Sequence, residues 1–245
     1  MRAIVMLHSV DDSGSVLSVT QAQLCSLVLA VRASGHTIVP LSQLLREPSE
    51  SRRIALSFDD GLRSLATHAR PVLSALGAPA TLFLTTGYVG RDNHWPSQPE
   101  SAPRLPMMSW DELAQLKQAG WDIEAHTTTH PDLRTLDTGA LERELCEPID
   151  TIAQQLGHTP ALFAYPYGYF DERVRLATAR HYRCAVSTRM ALLDGDRRGL
   201  HALPRLDAYY FRSPAAHEPF GGRRFATYVQ ARALLRRLRK HPGEC

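Results

Sequence analysis

Residues 54–60, IALSFDD, run as a hydrophobic strand into two adjacent carboxylates, Asp59 and Asp60, with Gly61 directly behind them. Two such charges repel one another unless a cation or a proton lies between them. A divalent cation resolves the tension: one carboxylate binds it, and its neighbour, unable to reach the ion well, takes a proton from an attacking water as general base. Downstream, His126 and His130 stand four residues apart in HTTTH. A helical turn there would aim both imidazoles the same way, with Cβ atoms about 5–6 Å apart. Neutral imidazole is a common zinc ligand, and a catalytic zinc takes three protein ligands plus an open position, so a carboxylate is the natural third. No Glu follows His126, which sets the pair apart from a metalloprotease HExxH helix. The plainer alternatives are that Asp59 caps the next helix, that Asp60 is a turn residue, and that the histidine pair is a coincidence in a chain with 11 histidines.

The elements that must position these residues alternate. Strand-like runs RAIVMLH (2–8), HTIVPL (36–41), RRIALSF (52–58), PATLFLT (79–85), WDIEAHT (121–127), ALFAYPYG (161–168), RCAVST (183–188) and LHALPRLD (200–207) are separated by longer amphipathic stretches. Ser109 is placed to cap a helix from Trp110 that stops at Gly120, and Pro148 is placed to bend or interrupt a long helix over 138–157. Repeated strand and helix imply a mostly parallel sheet, open or closed into a barrel. Such sheets gather their chemistry at the carboxyl ends of the strands. His8, Asp59, Asp60, His126, Tyr167, Arg205 and Asp207 all fall at such ends. The Pro- and Ser-rich stretch 90–106 reads as a surface loop near the same rim.

A length of 245 residues, 44% of them hydrophobic, suits one large α/β domain over 1–215 with a basic helix and tail over 216–245. From Arg223 to Lys240 the chain carries seven of its 28 Lys and Arg residues and no acid, within a net charge of +3. Phe225, Val229, Ala233 and Leu234 would share one face of that helix, which could dock on the domain or touch the inner membrane surface through its arginines. Without a stacking-aromatic platform the charge does not point to nucleic acid. The four cysteines are scattered and form no CxxC pair, suggesting neither a zinc knuckle nor a disulfide framework. The amino-terminal apolar run is too short for a signal peptide or membrane span, so a cytoplasmic location is expected.

SFDDG, HTTTH and YPYG, in this order and at these intervals, resemble the first three motifs of the NodB-homology polysaccharide deacetylases, carbohydrate esterase family 4. The resemblance spans about residues 1–210. It implies a distorted (β/α)7-type barrel and metal-dependent hydrolysis of the N-acetyl group of an amino sugar, releasing acetate. It assigns Asp60, His126 and His130 to the metal and Asp59 to the general base. To Tyr167 it gives a backbone N–H for the oxyanion, a donor of the kind worth about 2.7–4 kcal/mol. Tyr165, Tyr167 and Trp95 are the expected sugar contacts. Zinc is the expected ion, with cobalt, nickel and iron open to the same donors.

Two departures from the family pattern matter. Many members begin the third motif with an arginine that braces the catalytic aspartate, whereas here that residue is Ala164; Arg205 is the candidate replacement. Many also carry a late LxH histidine that protonates the leaving amine. None stands here in a good strand context, but AIVMLHSVDD resembles the amino-terminal histidine strand of one branch of the family, which makes His8 the expected general acid. The substrate stays open among amino-sugar glycans and glycan precursors, lipid-linked ones included. Hydrolysis of another C–N amide bond, or sugar binding without catalysis, remains an alternative.

Overall fold

A computed structural model describes residues 1–46, 48, 51–100, 102–193, 199–213 and 220–239. The strands of the main sheet are β1 (Arg2–Leu7), β2 (Thr37–Ile38), β3 (Arg53–Phe58), β4 (Thr81–Leu84), β5 (Asp122–Ala125), β6 (Leu162–Ala164), β7 (Cys184–Val186) and β8 (Leu206–Asp207), and Ser9–Val10 pairs with Ser18–Val19 in a small separate sheet. The helices are α1 (Gln21–Ala33), α2 (Leu41–Leu44), α3 (Arg70–Ala75), α4 (Trp110–Gln118), α5 (Thr138–Leu156), α6 (Glu172–His181) and α7 (Arg223–Arg239).

One wholly parallel sheet has the order β8-β1-β3-β4-β5-β6-β7, with β2 also paired to β3. Its central strands are buried on both faces, as the unbroken apolar runs of β1 and β3 require. The sheet curls. A parallel bridge between Val186 and Leu203, with Ser187 N–H donating to the Leu203 carbonyl, ties the approach to β8 back to β7. Ile4, Ala55, Phe83, Ala164 and Val186 fill the inside of the curl, while a larger core lies between the sheet and its outer helices. This is the parallel sheet expected from the alternation, curled into the barrel-like architecture that the family resemblance implies, with β6, β7 and β8 cut to two or three residues.

Helix boundaries follow local chemistry. Thr20 and Ser109 each close a capping box at the start of α1 and α4, with Gln23 and Glu112 as the reciprocal partners. Pro148 lies buried inside α5 without interrupting it. The stretch after Gly61 is not one regular helix: residues Leu65–Ala69 form a π-helical turn before α3, where Pro71 cannot donate an N–H. At the carboxyl end, α7 buries Phe225 and Val229 against Phe211 and Phe220, each worth roughly 1.5–3 kcal/mol when fully buried. Ala233 also packs on the core, but Leu234 points outward, 58% exposed, so the expected apolar face is shorter than the sequence pattern implied. Part of the helix's charge turns inward too, with Arg232 over Tyr210 and Arg236 paired to Asp207. Residues 214–219 and 240–245, including Lys240 and Cys245, lie outside the described residues. Among the described residues no helix is long and apolar enough to cross a membrane.

Candidate active site

The strand β3 ends at Phe58, and Asp60 takes a left-handed φ of 74°, a conformation that aspartate tolerates better than most residues. Gly61 follows with φ 103°, and a Cβ there would come within 2.6 Å of Leu84 Cδ1, so the sharp turn requires glycine. The turn separates the two carboxylates. Asp59 faces Arg205, and Asp60 faces His126 and His130.

The HTTTH segment is not helical. Thr127 and His130 both adopt left-handed φ, 67° and 57°, and the Thr127 hydroxyl accepts the His130 N–H at 2.9 Å. A tight loop, rather than one face of a helix, therefore brings the imidazoles to a ring-centroid distance of 4.8 Å at 72°. His126 Nδ1 lies 2.7 Å from the Ala164 carbonyl, an acceptor, so Nδ1 donates there and Nε2 is the nitrogen that faces Asp60. Both Nε2 atoms stand 3.5 Å from Asp60 Oδ1. That is too long for a good hydrogen bond, but it matches the separation of about 3.3 Å set by two bonds of 2.0–2.1 Å to one tetrahedral ion. All three residues are buried, and among the described residues His130 Nδ1 has no hydrogen-bond partner. Burial, with His126 alongside, pushes His130 down to about 3, leaving the ring neutral. Two imidazoles and a carboxylate converging in a dry site are a donor set for one divalent cation.

Arg205, just before β8, is fully buried. Its guanidinium grips Asp59 with two bonds, NH1 to Oδ1 at 2.6 Å and NH2 to Oδ2 at 2.7 Å, while Nε donates to the Ser187 carbonyl at 2.9 Å. Burial works against the Asp59 charge, and the arginine outweighs it, so the carboxyl stays below its usual range. His8, immediately after β1, brings Nε2 to 3.9 Å from Asp59 Oδ2. Asp59 is thus tied to Arg205 rather than capping the next helix.

Tyr167 sits in a tight turn over Pro166–Gly168 with φ 58°. Gly168 makes that turn possible, because a Cβ there would meet the Thr188 backbone N at 2.7 Å. The Tyr167 hydroxyl donates to the Ser97 carbonyl at 2.9 Å and accepts from Trp95 Nε1 at 3.2 Å. Trp95 in turn stacks on His130 at 4.2 Å. The loop over 90–106 is therefore more than a surface excursion, since it buries Asn93 and Trp95 and seats an aromatic ring on a candidate metal ligand. Two of the expected sugar contacts are largely enclosed. Tyr165 is only 1% exposed, stacked on Phe170 with its hydroxyl on the His201 carbonyl, and Trp95 is 2% exposed; both border the cavity but support its wall instead of offering a free ring face.

His8, Asp59, Asp60, His126, His130 and Tyr167 border one cavity of about 790 Å³. Sequence reasoning missed the residues that hold this set in place. Glu144, on α5, accepts the N–H groups of Thr128 and Thr129 at 2.8 and 2.9 Å and fixes the histidine loop from outside. Ser57 and Ser187 complete the arginine's bonds. Their only sequence signal is position: Ser57 and Ser187 lie close to strand ends, and Glu144 has none.

The family model for polysaccharide deacetylases matches residues 46–184. The chain belongs to this family. Among its relatives, YxkH of Bacillus subtilis is 25% identical over 235 residues, 93% of this chain and 76% of YxkH. The poly-beta-1,6-N-acetyl-D-glucosamine N-deacetylase of Staphylococcus aureus is 24% identical over 168 residues, 63% of this chain and 55% of that enzyme, so the match spans about half of its length. Two solved structures share the fold. The Streptococcus pyogenes deacetylase PplD in complex with acetate has a TM-score of 0.72 at 22% identity, over 84% of this chain and 91% of that one. IcaB from Ammonifex degensii has a TM-score of 0.71 at 19% identity, over 94% and 97%. Two of the site's residues, His8 and Arg205, lie outside the segment that the polysaccharide deacetylase model matches.

Proposed function

We propose that this chain is a metal-dependent deacetylase that hydrolyses the N-acetyl group of N-acetylhexosamine units in a glycan or glycan precursor, releasing acetate and a free amine. The observation that carries the reading is the convergence of an arginine-held carboxylate, a His₂Asp donor set and a nearby histidine on one cavity. The S. aureus relative, named for N-deacetylation of poly-N-acetylglucosamine, supports the substrate class.

Asp60, His126 and His130 would hold the ion, zinc first among the candidates. When bound, a divalent cation there polarises the acetamide carbonyl and makes the attacking water more acidic. Asp59, kept ionised and oriented by Arg205, accepts the proton of that water as its oxygen bonds to the carbonyl carbon. Both arginine bonds leave each Asp59 oxygen a second lone pair for this task. The backbone N–H of Tyr167 would donate to the oxyanion. His8 then gives a proton to the amide nitrogen, the C–N bond breaks, and acetate leaves.

The test is acetate release from N-acetylglucosamine oligomers by metal-stripped protein, with and without added Zn²⁺ or Co²⁺, beside Asp59→Asn. Acetate that requires metal and vanishes in the variant is the expected result. Metal binding with no acetate from any glycan would move the substrate to small amides, and sugar binding without turnover at every metal loading would sink the catalytic reading.

A further inference from the structure

The outer helices hold a second convergence of ligand-forming side chains, apart from the residues that line the cavity. Glu142 and Cys146 lie four apart on α5, so the helix presents them on one face. The last residue of α6, His181, meets them there. Its Nδ1 and Nε2 are 3.6 and 3.7 Å from Cys146 Sγ, and Nε2 is 2.7 Å from Glu142 Oε2. Arg180 holds the other oxygen of Glu142, which fixes the carboxylate with Oε2 toward the histidine. All three residues are half-buried, and none borders the active-site cavity.

A nucleophilic role for this cysteine runs against its surroundings. Burial, with Glu142, Asp150 and Glu147 nearby, pushes the thiol up, whereas a reactive cysteine needs an electropositive setting. A cation reverses that balance. The sulfur-to-nitrogen separations already match the span of about 3.6 Å between a thiolate and an imidazole on one tetrahedral zinc, given bonds of about 2.3 and 2.0–2.1 Å. The His181–Glu142 hydrogen bond must open, and the imidazole, whose two nitrogens stand almost equally far from Sγ, must turn to aim one of them at the ion beside the sulfur.

We propose that Glu142, Cys146 and His181 form a second, exterior site for a thiophilic divalent cation of the zinc type, which ties α5 to α6. The donor set, one thiolate, one imidazole and one carboxylate with a position left for water, selects zinc-like ions over magnesium or calcium. On binding, the Cys146 thiol loses its proton to solvent and becomes thiolate. The ion takes the place of the proton between His181 and Glu142: the imidazole binds through one nitrogen with its single proton on the other, and any further proton leaves to solvent. The proposal does not depend on the reaction at the cavity.

The test loads the full, metal-stripped chain with Co²⁺ and reads its absorption spectrum. Asp60, His126 and His130 contain no sulfur, so a thiolate-to-cobalt charge-transfer band in the near ultraviolet reports only a cysteine site. The expected result is that the band is present in the native chain, is lost in Cys146→Ser and in His181→Gln, and persists in Cys25→Ser. Cobalt bound per chain falls by one ion in both band-less variants, and whatever acetate release the native chain supports is unchanged. Absence of the band in the native protein, or its persistence in folded Cys146→Ser, overturns the proposal. Should Cys146→Ser fail to fold, His181→Gln decides the matter alone.

Discussion

Asp59 and Asp60 leave the same strand one residue apart, and the left-handed turn at Asp60 sends them into opposite surroundings. Asp59 meets a full positive charge, the Arg205 guanidinium, through two short bonds. Asp60 meets two imidazole nitrogens at 3.5 Å, with no cationic side chain gripping it. One carboxylate is already neutralised by the protein, while the other is left for an ion from outside. On the function proposed above, the difference divides the labour of a pair of like charges: the residue whose charge is met internally would be free to move protons, and the residue whose charge is unmet would recruit metal.

The sharpest way to break this comparison is to neutralise each partner in turn. Asp60→Asn is expected to lose metal, measured by equilibrium dialysis with Zn²⁺, and with it essentially all acetate release. Removing outer partners of metal ligands typically costs 10–100-fold in affinity, so removal of a ligand itself should exceed about a hundredfold. Asp59→Asn should abolish turnover at an undiminished metal content. If both variants lost metal equally, the division of roles would be wrong.

His8→Ala comes next in size. A positioned general acid contributes about 10²–10⁴-fold, so kcat should fall within that range while metal binding and folding stay as they were. A fall in metal content instead would place His8 among the ligands and erase the distinction between the two sides.

Arg205→Met strips the Asp59 side of its internal charge. Breaking one partner of a buried pair leaves an uncompensated charge and costs about 3–5 kcal/mol, which urea unfolding would read directly. Turnover should fall far more than metal content. The double variant Asp59→Asn with Arg205→Met should recover much of that stability, since no buried charge is then left unmatched. A double variant as unstable as Arg205→Met alone would mean that the arginine acts through packing, against Phe83 for instance, and not through charge.

How much of this could be read from the sequence differs between the two sides in the same way. The FDDG and HTTTH segments fall at strand ends, so the paired carboxylates and the two histidines are visible by type and spacing, while the choice of Asp60, His126 and His130 as the ligand set comes from the family resemblance. What the spacing could not give was the path of the backbone, because four residues apart suggested a helical face and the chain instead uses left-handed residues at Thr127 and His130. On the Asp59 side, Arg205 lies 146 positions away. Ala164 announced a missing charge, but only the curl of the sheet, which ties the approach to β8 back to β7, brings the replacement inside. The alternation of strands and helices was legible throughout, whereas the turn chemistry that aims each side chain depends on neighbours distant in sequence. The loop over 90–106 is the clearest case, since its composition says surface while its Trp95 is buried on His130. Cys146 and His181 illustrate the same limit on the outer helices: a lone cysteine carried no signal until α6 came to rest on α5.

Glu144→Gln offers the smallest and most discriminating test. Glu144 touches neither aspartate, yet its carboxylate accepts the N–H groups of Thr128 and Thr129 and the Thr129 hydroxyl, which clamps the loop between the two histidines. Glutamine keeps one carbonyl acceptor, so the loop should stay folded but lose the charge-assisted strength of those bonds. The expected effect is a loss of about tenfold in metal affinity, at the low end for an outer partner of a metal site, with the Asp59–Arg205 side untouched. Saturating metal should therefore restore turnover to Glu144→Gln, although it cannot restore it to Asp59→Asn. A loss of kcat that saturating metal fails to recover would show that the histidine loop also positions the reacting groups, and that the two sides of the site are not as separable as their surroundings suggest.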